Sequence, residues 1–518
     1  MVKLLKTRWI LFINFFGHNG KTKPEYWLTR FVFLRALGAV YFFAFLTASF
    51  QAVPLIGEYG LLPANSFLNS LIEVHQNKLQ AFISWPTLFL FYFSDNFLLT
   101  MAWLGVSISF LILIGFANAF ILFFIWFLYL SFVHIGQLWY GYGWEIQLLE
   151  TGFLAIFLCP LFDPRPFPKS SPPILIIWLL RWLTFRIYLG AGLIKIRGDS
   201  CWRNLSCLFY HYETQPIPNF LSPLFHFMPK VFHRLGTLWN HFVELIVPFF
   251  IFGPRRWTRN FSGAILVSFQ GLLILSGNLS FLNWLTITAT IACFDDGFLK
   301  KIFPKNLVQR AVDAAEEAQP AKWGNPIIWT ITALVAFLSV SVINNLFAPN
   351  QVMNASFNKL HLVNTYGAFG SIGRERRELI LKGTTDPIVT PETIWKPYEF
   401  KAKPGDTMQS LPLISPYHYR LDWQLWFAAM SRPEREPWLL HFVWKLLKND
   451  SNTLGLIEKN PFPNQPPTHI KIDLYQYSFS PLGSETVWSR SMLQEWLHPI
   501  SKSNSRLKEF IVGNGWDS

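Results

Sequence analysis

Apolar residues run almost unbroken through nine stretches of the first two thirds of the chain: 31–50, 98–116, 118–135, 145–161, 174–194, 237–253, 261–277, 279–294 and 327–347. Runs of about 17–25 apolar residues are long enough to cross a bilayer as helices, so the pattern predicts about nine spans. Several are short for a full crossing, and 85–97 reads as a further partial one. After residue 347 the pattern changes. REL-ILK at 377–382 and HIKIDLYQY at 469–477 alternate polar and apolar residues, the period of a half-buried strand. WKPYEFKAKPGD at 395–406 reads as a strand ending in a turn. PWLLHFVWKLLKN at 437–449 reads as an amphipathic helix, with proline at its start. The expected fold is therefore a polytopic α-helical membrane domain over 1–347 and a strand-rich α+β domain over 348–518. A β-sandwich is one arrangement open to the second domain.

Composition agrees with this reading. Of the 518 residues 51% are hydrophobic and 18% aromatic, while 14% are charged, well below the soluble norm of about 25%. The net charge of +13 does not point to nucleic acid, because the basic residues sit mostly in short loops between spans. Lys3, Lys6, Arg8, Lys21, Lys23 and Arg30 place the N-terminus in the cytoplasm, and residues 9–16 read as an interfacial lead-in rather than a removable signal. Loops 162–173, 254–260 and 295–326 are then cytoplasmic and basic, and an odd span count puts residues 348–518 on the other side. The loop 195–236 breaks the rule, with Lys195, Arg197, Arg203, Lys230 and Arg234 on the expected exterior. Either a span is miscounted or these charges have work other than topology.

The candidate chemistry gathers there. An apolar helix carrying Arg181 and Arg186 runs into a loop with Lys195, Arg197, Asp199, His211, Tyr212, Glu213 and Gln215. Ionisable residues in a membrane are costly and usually have a partner. Arg181, six residues into its helix, fits a snorkelling role. Glu145 opens the fourth span at the interface. Glu150 lies about 7 Å deeper and has Arg186 as a candidate partner. The nine residues from Arg186 to Lys195 make about two and a half turns, and the two are expected on similar sides of one helix. His211 and Glu213, before an X-Pro-X-Pro turn, would share a face of an extended strand and could act as acid and base. Glu213 or Asp199 is expected to pair with Lys195 or Arg197, closing a cavity between spans four, five and six. His241 and Glu244 sit i,i+3 beside Asn240. With no third ligand they suit interhelical hydrogen bonds better than a metal. Cys201 and Cys207 share a loop and are either a disulfide or two thiols. No nucleophile motif, phosphate loop or triad spacing accompanies the cluster, so no cofactor is expected, and catalysis is left open with the balance against an enzyme.

GAGLIKIRGDSCWRNLSCLFYHYETQPIPN, LLETGFLAIFLCP at 148–160, NTYGAFGSIGRER at 364–376 and YHYRLDWQLWFAAM at 417–430 resemble the blocks of the lipase maturation factor family, over about residues 31–498. Tyr417, His418 and Tyr419 depart from the family's usual text. The membrane part is distantly similar to that of vitamin K-dependent gamma-carboxylases. The resemblance implies a multi-pass protein that assists folding or assembly of secreted lipases, through client proteins rather than nucleic acid. It would reside in the endoplasmic reticulum membrane of a eukaryote or the inner membrane of a bacterium, with its C-terminal domain non-cytoplasmic. The family carries no agreed catalytic residues. The alternatives are a membrane enzyme acting on a lipid or client side chain through the cluster at 195–215, and a transporter. Trp423, Trp426 and Phe427, linked by helical spacing, are candidates for client binding or for a core shared with the helix at 437–449.

Overall fold

The computed structural model describes residues 25–318 and 325–516. The interfacial lead-in at 9–16 and the basic residues before Glu25 lie outside the described residues.

The membrane part begins with α1 (Trp27–Ile56), 30 residues ending at Gly57. Ser94 caps α2 (Asp95–Ile114) by accepting from the Phe97 N–H. Asn118 caps α3 (Ala119–Ile135) in the same way from Ile121, each satisfying a donor that a helix start leaves unpaired. Small residues let α1 and α2 close on each other: a Cβ on Gly105 would lie 2.2 Å from the Phe45 ring. Next come α4 (Gly143–Ile156), α5 (Ile174–Arg197), the short α6 (Leu208–Thr214) and α7 (Lys230–His241). A π turn over Phe242–Ile246 and a 3-10 stretch over Val247–Phe252 prolong α7. Then follow α8 (Arg256–Ser276), α9 (Leu282–Thr290) and α10 (Asn325–Phe347).

All nine apolar runs are helical, but five helices among the described residues are long and apolar enough to cross a membrane: α1, α2, α5, α7 with its extension to Phe252, and α10. The expected polytopic helical membrane part is thus present, with five of the nine expected runs meeting that measure. α3 and the Leu282–Cys293 segment are apolar but short, and α4 has 14 residues. A run of apolar letters counts burial against neighbouring helices as readily as contact with lipid. The buried positions of α4 extend from Trp144 to Ile156 without a break.

Beyond α10 lies one antiparallel sheet in the order β2-β1-β3-β4, formed by β1 (Arg376–Thr384), β2 (Lys396–Pro397), β3 (His469–Phe479) and β4 (Trp488–Ser501). It is a single sheet and not a sandwich. α11 (Arg420–Ala428) packs on β1, and α12 (Pro437–Lys448) packs on β3; helices occupy the place a second sheet would take. The strand expected at 395–406 shrinks to two residues. After Pro397, the Ala402 and Lys403 N–H groups donate to the Asp422 carboxylate of α11 instead of to a strand. The apolar core is continuous from the membrane helices into this domain; Trp139, after α3, meets Trp438 of α12 edge to face at 5.2 Å.

Candidate functional site

Two buried carboxylates of α4 hold the C-terminal domain on the membrane part. Glu150, completely buried, is paired with Arg186 of α5. It also accepts from the Asn364 N–H at 3.0 Å, the Asn364 side chain at 3.1 Å and the Tyr366 hydroxyl at 2.7 Å. Arg186 in turn donates to the Asn364 carbonyl at 2.8 Å. The segment after α10 thus folds back between helices and supplies further donors to the Glu150 carboxylate, while Arg186 Nε is left without a partner among the described residues. A buried pair needs such additional hydrogen bonds to offset its lost hydration.

Glu145, one and a half turns earlier, repeats the device. It is completely buried, not interfacial as expected. Arg420 at the start of α11 reaches it at 2.7 Å, with Tyr129 and Trp144 as further donors. Arg420 also lies 3.6 Å over the Tyr140 ring. Gln424 donates to the Tyr142 hydroxyl at 2.7 Å. Trp423 packs edge to face on Tyr142 and Trp144, and the Trp426 indole donates to the Thr214 carbonyl. Trp423, Trp426 and Phe427 therefore face the ends of the membrane helices. The stripe of α11 opposite them carries Leu421, Leu425 and Ala428, all buried.

Between the seam and the helices lies a cavity of about 920 Å³. Its walls come from α4 to α9, the segment 366–371 and α11. Lys195, Asn240 and Glu244 form its main polar face. Lys195 pairs with Glu244 at 2.5 Å and donates to the Asn240 side chain at 3.1 Å, and Asn240 donates to Glu244 at 2.9 Å. The π turn carries Glu244. Lys195 and Arg186 point to opposite sides of α5, one to the cavity and one to the seam, because two and a half turns is half a turn out of register.

The pairings expected around the loop are replaced. Asp199 caps the helical turn at Cys201 and pairs with Arg374 at 2.9 Å. Arg197 donates to the Leu346 carbonyl and to Gln351. Glu213 accepts from the Phe479 N–H at 2.7 Å, with His226 at 3.7 Å; burial pushes its carboxyl above the ordinary range. These residues are helical, not extended. No proline lies within 208–214, so α6 forms and ends before Pro216. Residues two apart on a helix diverge, which sends His211 to the cavity and Glu213 to the sheet. Gln215 ties α6 to the end of α8 through the Ser276 carbonyl at 2.8 Å, and its own carbonyl accepts from Arg376. Tyr212 lines the cavity and stacks on Phe225. His241 contacts the Trp202 carbonyl at 3.0 Å. Cys201 and Cys207 are joined in a disulfide. Three of the five basic residues that broke the charge rule, Lys195, Arg197 and Arg203, are thus engaged in fixing this region, Arg203 by donating to the Ile196 carbonyl.

His211 has no hydrogen-bond partner at Nδ1; burial and the nearby Lys195 push its imidazole down to about 4, so it is neutral at pH 7. Among the described residues no three His, Cys, Asp or Glu side chains are grouped to hold a metal.

The sequence pattern pointed to Glu150, Arg186, Lys195, His211 and Glu244. It missed Asn364, Tyr366 and Arg420, and also Gln270 and Asn283, which line the cavity and are joined by a hydrogen bond. The only signal for the first three was their place in the family-like blocks at 364–376 and 417–430.

Fold and site together define a polytopic membrane protein whose C-terminal α+β domain is locked onto its helices by buried ion pairs beside a cavity between the two. The chain belongs to the lipase maturation factor family: residues 28–301 match its transmembrane domain and residues 362–498 its C-terminal domain. Lipase maturation factor 1 of Bos taurus is 48% identical over 536 residues, covering 96% of this chain and 94% of that protein. The human protein of that name is 45% identical over 525 residues, with 96% and 91% covered. Lipase maturation factor 2 of Rattus norvegicus is 28% identical over 599 residues, with 93% and 84% covered. No solved structure matches.

Proposed function

We propose that the chain is a membrane-embedded maturation factor that assists the folding and assembly of secreted lipases. The observation that carries this is the 48% identity to a lipase maturation factor 1 across both parts of the molecule. The division falls at residue 347, with about nine membrane segments before it and residues 348–518 on the lumenal side of the endoplasmic reticulum membrane. Two features support that orientation. The Cys201–Cys207 disulfide sits in one apolar cluster with Ile372 and Phe369 of the C-terminal part, and disulfides persist in oxidising compartments. The basic loops gather away from it: Lys169 pairs with Glu317 at 2.8 Å, and Lys300 with Glu25 at 3.5 Å, as the positive-inside rule requires of one cytoplasmic face. Phe427, 42% exposed, is the aromatic of α11 best placed to touch a client.

The test is complementation. Cells lacking their own lipase maturation factors would express this chain together with a secreted lipase, and secreted activity per mass of lipase would be measured. Restoration is expected, and its loss on deleting residues 348–518. An unrestored lipase beside normal membrane levels of the chain would defeat the reading.

A further inference from the structure

The cavity has features that client assistance does not call on. Its volume, about 920 Å³, is near the top of the range of small-molecule sites, roughly 300–1,000 Å³. One wall is α7, where Leu235 is 60% and Trp239 39% exposed although both line the cavity. Exposed apolar side chains that also line the cavity, on a helix long and apolar enough to cross a membrane, fit a lateral mouth toward lipid. The inner end is polar but carries no spare charge. Lys195 is neutralised by Glu244, with Asn240 bridging the two, and His211 is uncharged at neutral pH. Among the described residues, three polar atoms of lining residues lack a hydrogen-bond partner: His211 Nδ1, Asn283 Oδ1 and Trp423 Nε1, on residues 6%, 1% and 5% exposed. Buried polar atoms almost always have a partner, so spare hydrogen-bonding capacity beside a neutral polar floor favours a ligand with hydroxyl groups. A carboxylate or phosphate head would find no unpaired cation there, and burying such a charge unpaired is strongly unfavourable.

We propose that this cavity binds an uncharged, hydroxyl-headed lipid that enters sideways past Leu235 and Trp239, with its head toward His211 and Asn283 and its apolar body against Tyr188 and Phe269. Acylglycerols and sterols share this chemistry. Binding is independent of the client reading above.

The full chain in detergent or nanodiscs would be exposed to photoactivatable monoacylglycerol, cholesterol, fatty acid and phosphatidylserine probes, and labelled peptides mapped by mass spectrometry. Labelling of 231–245 or 266–286 by the monoacylglycerol or the cholesterol probe is expected, displaced by excess unlabelled lipid. Whichever of the two labels identifies the source. Leu235→Trp, which narrows the mouth, should cut labelling at least fivefold without lowering the melting temperature, and His211→Phe should cut it less. Equal labelling by the charged probes, labelling that excess lipid does not displace, or labelling unchanged in a folded Leu235→Trp protein would overturn the proposal. Should Leu235→Trp fail to fold, the competition arm with the unsubstituted chain decides alone.

Discussion

The seam and the cavity wall each contain a buried ion pair, and the two pairs do different things. At the seam, Glu150 and Arg186 are 0% and 1% exposed, and three further donors from the C-terminal domain crowd the carboxylate. At the cavity, Lys195 and Glu244 keep 6% and 5% exposure and have one helper, Asn240. The first pair has its carboxylate enclosed by donors from the C-terminal domain and acts as a latch between domains. The second is left open on one side and acts as a neutral polar floor. What separates them is the supply of partners, not the charges themselves.

The largest effect should come from breaking the latch. Glu150→Gln or Arg186→Met leaves one buried charge uncompensated, at about 3–5 kcal/mol. Limited proteolysis should then release the C-terminal domain at lower protease concentrations, and the double variant should recover part of the loss. If the single variants melt with the unsubstituted chain, the latch is not one. Lys195→Met should cost less, about 1–3 kcal/mol, because its orphaned partner borders a cavity rather than a packed shell. A larger loss for Lys195→Met than for Arg186→Met, by thermal melting in detergent, would reverse the comparison.

A smaller effect is expected from pH. Burial, then Lys195, holds His211 down to about 4, and burial likewise holds His441 to about 4. The unfolded chain takes up these protons near pH 6.5 while the folded protein resists, so stability falls as pH drops from about 6.5 toward 4. Asp422 opposes this in part: burial pushes it up to about 6, so the folded state gains over the unfolded one as pH falls through 6. His211→Phe should flatten the melting-temperature profile between pH 6.5 and 4; an unchanged slope would show that the imidazole is not held neutral. Smallest of all, Phe427→Ala should shift stability by less than about 0.5 kcal/mol. Lost lipase maturation with an unchanged melting temperature would assign that ring to the client.

Much of this was legible in the sequence, for a reason that also marks its limit. Apolar runs locate helices because periodicity is local, and Glu150 and Arg186 can be matched because both are rare charges in adjacent runs. β1, β3, α11 and α12 follow from equally local patterns. Partners supplied from far away are invisible to such reading: Asn364 lies 214 residues from Glu150, and Arg420 lies 275 from Glu145. Lys195 and Glu244 were both singled out, yet nothing local joins them, since the π turn and the half-turn offset along α5 decide where each points. The misreading of 208–214 as extended came from giving Pro216 and Pro218 a reach they lack; a proline restrains its predecessor, not a segment five residues back.

The distance from Glu150 to Asn364 is also an interval of time. A ribosome adding about 5–20 residues per second takes about 10–40 s to travel from one to the other. Once Arg186 has followed Glu150, the pair between α4 and α5 spends the rest of that interval without any donor that the later segment brings. The nascent protein therefore passes through a long stage as an unlatched helical bundle, open where its own last domain will sit. Whatever attends its birth in the membrane must shelter that gap until residue 364 arrives to fill it.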